Sequence, residues 1–534
     1  MMSSLLKHNK WLLACLWWLL GLMIIFSAFV TDPDDRHGLL LYNILFTLIF
    51  PALFLLITGR LRRWGLVAFF LLALPPSLIE VGWFCMDKSI LIRNQFWVIF
   101  ATNPAEASGL LSMVQPWQWL LLFVYLDICI ALLVLALKES ANNDIALCAC
   151  SGRKRLAISL VGAFMVGIYC LFPGVRNNVP CVDFYSSYHG YRGEVRKAEN
   201  FMHNRQDLSG AVQNNLPDST ATIVVVIGES LNRTHCSLYG YCRPTTPRLD
   251  ARNDVIAYRN VVSPDFMTQT VLQQVLTFAN DENPDARWNC PTLPELLNAA
   301  GWHTYWFDPY EGNNNTSKTI PTGFSSIAKL CTTYHLCDET EQYDGNYLNH
   351  LQTILADTLT ARKAIFFHLI GNHFPYERRY PEQFGFFEDS DVCSPYRDRL
   401  SAQQMETINA YDNAVRYNDW LVDSIFSVLC MQNGCCAMIY FPDHGEEVYD
   451  LDFYAGRSFN HITRSLYEIP LLFWQNEEYS WSNPLYIDVE APYCTGDMIH
   501  SLLDIFAVSY TMQDSTRSLF RSTFQPRPRP TDDK

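Results

Sequence analysis

The sequence predicts a bundle of five transmembrane helices followed by an α/β domain built on a mainly parallel sheet. Five apolar runs, each near the ~20 residues that cross a bilayer, crowd the first third of the chain. Beyond them, three apolar runs each end in polar residues able to bind a metal: Ile223-Val-Val-Val-Ile-Gly-Glu229, Ala364-Ile-Phe-Phe-His-Leu-Ile-Gly-Asn-His373 and Cys436-Ala-Met-Ile-Tyr-Phe-Pro-Asp-His444. Helical and strand patterns alternate around these runs, the mark of an α/β layer structure.

In chain order, the predicted membrane helices are 11–30, 39–57, 64–83, 119–137 and 156–172, within a region 1–175. The first is too long for the apolar core of a signal peptide and shows no small-residue cleavage site, so it reads as an anchor. Lys7, Lys10, Arg60, Arg62, Arg63, Lys138, Arg153, Lys154 and Arg155 fall on one side of the spans, and Asp32, Asp34 and Asp35 on the other. The positive-inside rule puts the amino terminus in the cytoplasm and, after five crossings, the rest of the chain outside it, with Lys88 and Arg93 mildly opposed. Cys85 to Pro116 mixes aromatic and polar residues and suits a segment lying at the membrane surface. Glu80 and Asp127 are acidic residues inside apolar runs, Glu80 near the outer end of its helix.

Residues 176–221 are polar and poor in apolar periodicity, and read as a bridge. The α/β domain spans 222–520. Its strand Ile223 to Ile227 is β-branched throughout, as for a strand buried on both faces. Leu293 to Ala300 is helical and stopped by Gly301, His303 to Phe307 is a strand, and Met405 to Leu429 has a long helical period. Residues 521–534, rich in proline and charge, read as a loose tail.

Eleven cysteines follow the last apolar run, an odd number that leaves at least one unpaired in an oxidising compartment. Cys331 with Cys337, closing a small loop, is the expected disulfide, and the paired Cys-x2-Cys spacing of a cysteine zinc site is missing. A net charge of −15, with no basic run in the outer part, argues against a nucleic-acid surface.

Three strand ends deliver Glu229, His373, Asp443 and His444 to one edge of the sheet, where open α/β sheets place their ligands. Two readings of Glu229 stand: a metal ligand, or a helix cap paired with Arg233. Thr268 precedes Val271, Leu272, Val275, Leu276 and Ala279, which share one helical face, so its hydroxyl lies at a helix amino terminus. There it is either a nucleophile beside a bound phosphate or a capping residue. Thr270, two residues on, points about 200° away and is the competing nucleophile.

The stretch Gly228-Glu-Ser-Leu-Asn-Arg-Thr-His-Cys-Ser-Leu-Tyr-Gly-Tyr-Cys-Arg-Pro-Thr-Thr-Pro247 resembles the signature of the bacterial phosphoethanolamine transferases. Gly371-Asn-His373, Tyr411-Asp-Asn413 and Asp443-His-Gly445 are similar to family motifs in the family's order. The resemblance implies an alkaline-phosphatase/sulfatase-like fold, with zinc held by Glu229, Thr268, Asp443 and His444. His373, His461, Thr102 and Glu106 would bind substrate. It also implies an inner-membrane enzyme with a periplasmic catalytic domain, acting as a monomer. That enzyme would move phosphoethanolamine from phosphatidylethanolamine to lipopolysaccharide core or lipid A through a phosphothreonine. Val271-Leu-Gln-Gln-Val-Leu-Thr-Phe-Ala279 resembles the branch that modifies core. Pro264-Asp-Phe266 departs from the Cys-Gly-Thr pattern of the lipid A enzymes, and Val98 stands where an asparagine is expected.

Two other functions share the fold. A phosphoglycerol transferase would use the same metal and threonine with another headgroup, and a non-catalytic membrane receptor would show a broken ligand set. A sulfatase needs Cys-x-Pro-x-Arg, and Cys242-Arg-Pro-Thr-Thr246 fails at its last position.

Overall fold

A computed structural model describes residues 10–27, 59–87, 114–142, 180–217, 220–308, 327–337, 343–458 and 461–532, with Leu91, Phe96, Ile99 and Phe100 besides. These fall into two compact units that divide between Glu194 and Val195.

The first unit contains α1 (Lys10–Ser27), α2 (Gly59–Asp87) and α3 (Pro116–Asn142). Arg60–Cys85 and Pro116–Glu139 are long and apolar enough to cross a membrane. The predicted spans 39–57 and 156–172 lie outside the described residues, as do Thr102 and Glu106. Leu12, Leu16 and Leu19 of α1 pack with Leu66 and Phe70 of α2 and with Tyr125 and Cys129 of α3. Helix α2 runs through Pro75 and Pro76. Pro76 cannot donate to the carbonyl of Leu72, and the Tyr185 hydroxyl donates to that oxygen instead, at 2.8 Å. Glu80 is fully buried and accepts from the Leu91 backbone at 3.3 Å, rather than meeting solvent at a helix end.

The predicted bridge is a 24-residue helix, α4 (Pro180–His203), and the boundary between the two units falls inside it. Its buried residues follow a helical period: Asp183, Ser187, Tyr191, Val195, Ala198 and Phe201. The first two are polar, and Ser187 donates to Asp183 at 3.1 Å, which hides the period from an apolar reading.

The second unit is a seven-stranded mixed sheet. Its strands and principal helices, in chain order, are β1 (Ala221–Gly228), β2 (Ile256–Tyr258), α5 (Thr268–Val275), α6 (Leu293–Ala299), β3 (His303–Asp308), β4 (Thr333–Leu336), α7 (Tyr347–Ala356), β5 (Arg362–His368), α8 (Ala402–Cys430), β6 (Cys435–Pro442), β7 (Leu471–Gln475) and α9 (Met498–Ile505). The sheet order is β2-β7-β6-β1-β5-β3-β4. The pairings from β6 to β4 are parallel, whereas β7 runs antiparallel to both of its neighbours. Strand β1 is central, and Ile223 to Ile227 have no exposed surface. Ile223, Val225 and Ile227 join the core with α5, α6 and α9, while Val224 and Val226 face the core with α7 and α8. This two-sided burial is what five β-branched residues in succession require. A capping box between Thr292 and Glu295 starts α6, and Gly301 follows it at φ +83.

Two expectations are corrected. Cys331 and Cys337 are not joined to each other, and among the described residues a disulfide joins Cys242 to Cys393. The carboxyl-terminal stretch is not loose: Arg521 pairs with Asp504, Phe524 packs on Tyr493, and Arg529 donates to Asn260 at 2.6 Å. Its prolines break regular structure, while its arginines supply the contacts that hold it.

Candidate active site

Adjacent parallel strands bring the first ligands together. Gly228 of β1 pairs with Pro442 of β6, so Glu229 and Asp443 leave their strands at the same level and His444 follows. All three side chains are buried, and one donor atom from each lies within 4.8 Å of the others. His444 Nε2 stands 3.2 Å from Glu229 Oε1 and 3.1 Å from Asp443 Oδ2. Its Nδ1 is 2.7 Å from the Gly445 carbonyl, a contact that keeps a proton on Nδ1 and leaves Nε2 facing the carboxylates.

Thr268 is the first residue of α5, and the capping position belongs to Met267. The threonine hydroxyl is therefore not consumed as a cap. It lies 3.2 Å from Glu229 Oε2 and 3.3 Å from His444 Nε2. The cap reading of Glu229 fails as well, because Arg233 pairs with Glu468 and donates to the Arg259 carbonyl.

Backbone geometry explains the glycines of the motifs. Gly371 has φ +54, and a Cβ there would sit 2.8 Å from both the N and the O of Glu229. The next amide, Asn372 N–H, donates to the Glu229 carbonyl at 2.9 Å, so Gly371-Asn-His373 is a clasp on the ligand's backbone that leaves His373 half-buried beside it. A Cβ on Gly445 would clash with the Ser465 carbonyl oxygen. Tyr411 donates to the Ser230 carbonyl and accepts from Asn232 N–H, bracing the turn after Glu229. Asp412 accepts from Arg243 at 2.7 Å and binds His235 at 2.6 Å, and Asn413 accepts from the amides of Phe386 and Phe387. The Tyr411-Asp-Asn413 motif thus supports the site without entering it. His461 meets Asp452 at 2.6 Å and stacks on Tyr454, and these contacts replace any with the cluster.

Electrostatics mark the cluster as a cation site. Burial works against the charge on Glu229, yet His444 and Arg457 hold it well below the usual carboxylate range. Burial and the neighbouring Glu229 push Asp443 up. Burial and Arg457 oppose a charge on His444, but Asp443 and Glu229 prevail and raise it to about 10. Asp443 Oδ2 is buried and makes no hydrogen bond. Two carboxylates, an imidazole and a hydroxyl around such an atom fit a divalent metal ion.

Sequence reasoning missed two residues here. Arg457 reaches over the cluster: Nη1 is 2.5 Å from His444 Nε2 and donates to the Phe266 carbonyl at 3.1 Å, and Nη2 is 3.6 Å from Glu229. Its Nε meets Glu446 at 3.3 Å, and Glu446 also accepts from Tyr376 at 2.7 Å. Glu446 follows Asp443-His-Gly445 directly, and that adjacency was the available signal.

A family model described as Sulfatase matches residues 221–508, more than half of the chain. The chain belongs to the sulfatase family. Among curated relatives of this sulfatase-family protein, phosphoethanolamine transferase EptC of Escherichia coli (strain K12) is 34% identical over 357 residues, covering 64% of this chain and 61% of that protein. Phosphoethanolamine transferase CptA of Salmonella typhimurium is 32% identical over 354 residues, again 64% and 61%. The chain thus aligns with about 61% of the length of these relatives. Among solved structures, the periplasmic domain of Escherichia coli EptC in complex with zinc is 34% identical and superposes with a TM-score of 0.56, covering 61% of this chain and 92% of that one. The integral membrane protein EptA of Neisseria meningitidis, 17% identical, has a TM-score of 0.64 over 98% of this chain and 99% of that chain, which shows a common fold.

Proposed function

We propose that this protein is a zinc-dependent phosphoethanolamine transferase of the bacterial inner membrane, with five membrane helices and its α/β domain in the periplasm. The observation that carries the reading is the Thr268 hydroxyl, within 3.3 Å of both Glu229 and His444 at the start of a helix. The relatives that match the domain are named phosphoethanolamine transferases, and one neighbour was solved with zinc.

Glu229, Thr268, Asp443 and His444 would hold the zinc, which when bound there would acidify the threonine hydroxyl and polarise a phosphoryl oxygen. In the first step Thr268 Oγ1 attacks the phosphorus of phosphatidylethanolamine. The phosphorus–oxygen bond to diacylglycerol breaks, and the leaving alkoxide takes up a proton as the threonine gives one up. In the second step an oxygen of lipopolysaccharide core or lipid A attacks the same phosphorus, the bond from phosphorus to Thr268 Oγ1 breaks, and the threonine oxygen takes up a proton as an acceptor hydroxyl gives one up. The first turn of α5 would offer its amide groups and positive dipole end to the phosphoryl oxygens. Arg457 would add positive charge, and His373 a ring nitrogen, where negative charge develops. Thr102, Glu106 and His461 would also bind substrate.

Sulfate ester hydrolysis is disfavoured despite the family's name. Cys242 sits in the disulfide with Cys393, so it is not available for the modified nucleophile of a sulfatase. Purified full-length enzyme in detergent, offered ethanolamine and glycerol phospholipids separately, tests the donor. Diacylglycerol release from phosphatidylethanolamine alone supports the proposal, and release from phosphatidylglycerol alone replaces it with phosphoglycerol transfer. Mass spectrometry of lipid A and core from deletion and overexpression strains tests the acceptor, and an ethanolamine-phosphate change on neither refutes that part.

A further inference from the structure

Beyond this site, the carboxyl ends of the strands carry a second set of metal-competent side chains, at the edge of the sheet. We infer that His335, Cys337 and His350 form a second metal site, of the nitrogen and sulfur type that takes zinc, and that it clips edge strand β4 to helix α7. One donor atom from each lies within 4.8 Å of the others. A tetrahedral zinc with two imidazoles and a thiolate needs donors about 3.3–3.6 Å apart, so closure takes side-chain shifts on the order of 1 Å.

The placement follows from strand and helix periodicity. His335 lies in β4, and Cys337, two residues on, shares its face. The Cys337 amide extends the ladder by donating to the Asp308 carbonyl at 3.0 Å. His350, in the first turns of α7, meets His335 with ring centroids 4.7 Å apart. Phe307 lies against both imidazoles, at 5.3 Å and 4.8 Å, and forms an apolar wall. Cys337 is buried, while both histidines are partly open to solvent, which gives an ion a way in.

The site is separate from the first. His335 pairs with Phe307, Phe307 with Phe367 and Phe367 with Val226, so three strand spacings, roughly 14 Å, lie between β4 and the strand that carries Glu229. The described residues supply three ligands, and binding releases the Cys337 thiol proton to solvent. A four-residue edge strand gains most from such a tether, since only one neighbour holds it in the sheet.

The test uses full-length protein in detergent, stripped with a chelator and titrated with zinc or cobalt alone. Wild type should bind one more equivalent than Cys337→Ser or His350→Ala, and Asp443→Asn should retain that equivalent. The cobalt protein should show a thiolate charge-transfer band that Cys337→Ser lacks. Zinc should raise the melting temperature of wild type further than that of Cys337→Ser, each measured against its own chelated form. Equal stoichiometry in wild type and Cys337→Ser, or a cobalt protein without the thiolate band, would overturn the inference.

Discussion

Replacing Arg457 with methionine separates the guanidinium's charge from its bulk and asks what holds the carboxylates of the active site in place. The guanidinium lies 3.3 Å from Glu446 and 3.6 Å from Glu229, and its side chain is only 19% exposed. Removing one partner of a buried ion pair costs about 3–5 kcal/mol. For a chain of this size that corresponds to a fall in melting temperature of roughly 6–10 °C, at about 2 °C per kcal/mol. With zinc bound, Glu229 has a second cation and only Glu446 loses its partner, so the fall should shrink to about half. The assay is thermal unfolding of wild type and Arg457→Met, each with chelator and with excess zinc. Arg457→Lys restores charge without the fork and should fall between the two. An equal drop with and without zinc would refute the view that guanidinium and metal answer the same carboxylates.

Three further outcomes follow from the same geometry. Thr268→Ala should lower donor turnover at least about 10³-fold, while Thr270→Ala should stay within a few-fold of wild type, measured as diacylglycerol release. Gly371→Ala should destabilise the domain by about 2–4 kcal/mol, since a Cβ at φ +54 meets the Glu229 backbone, and denaturant unfolding reads this directly. His235 is buried between Asp450 and Asp412. Burial opposes its charge, but the two carboxylates raise it to about 10. Because its folded value lies above its unfolded one, its contribution is complete below about pH 6.5 and is lost as pH rises toward 10. His235→Gln should therefore cost most stability at pH 6 and least near pH 10, by thermal unfolding across that range.

The strand ends were legible in the sequence because buried parallel strands leave an unbroken apolar run, and a carboxylate or imidazole directly after one stands out. Glu229, Asp443 and His444 meet for that reason, and Thr268 was found from the phase of Val271, Leu272 and Val275. Arg457 was not found, since it lies in an irregular loop where no period fixes the direction of a side chain. The Cys242–Cys393 disulfide joins residues 151 apart and depends on tertiary packing, whereas the expected Cys331–Cys337 pair rests on loop length alone. Strand β4 ends just before Cys337 and commits that residue toward α7. Helix α4 was hidden by Asp183 and Ser187, two polar residues that occupy its buried face.

Covalent loading of Thr268 is the central claim, and peptide mapping tests it most directly. Full-length enzyme incubated with phosphatidylethanolamine and no acceptor should yield the peptide containing Thr268 carrying one phosphoethanolamine, lost again when acceptor is added. Modification on Thr270 instead, or full turnover by Thr268→Ala, would contradict the account.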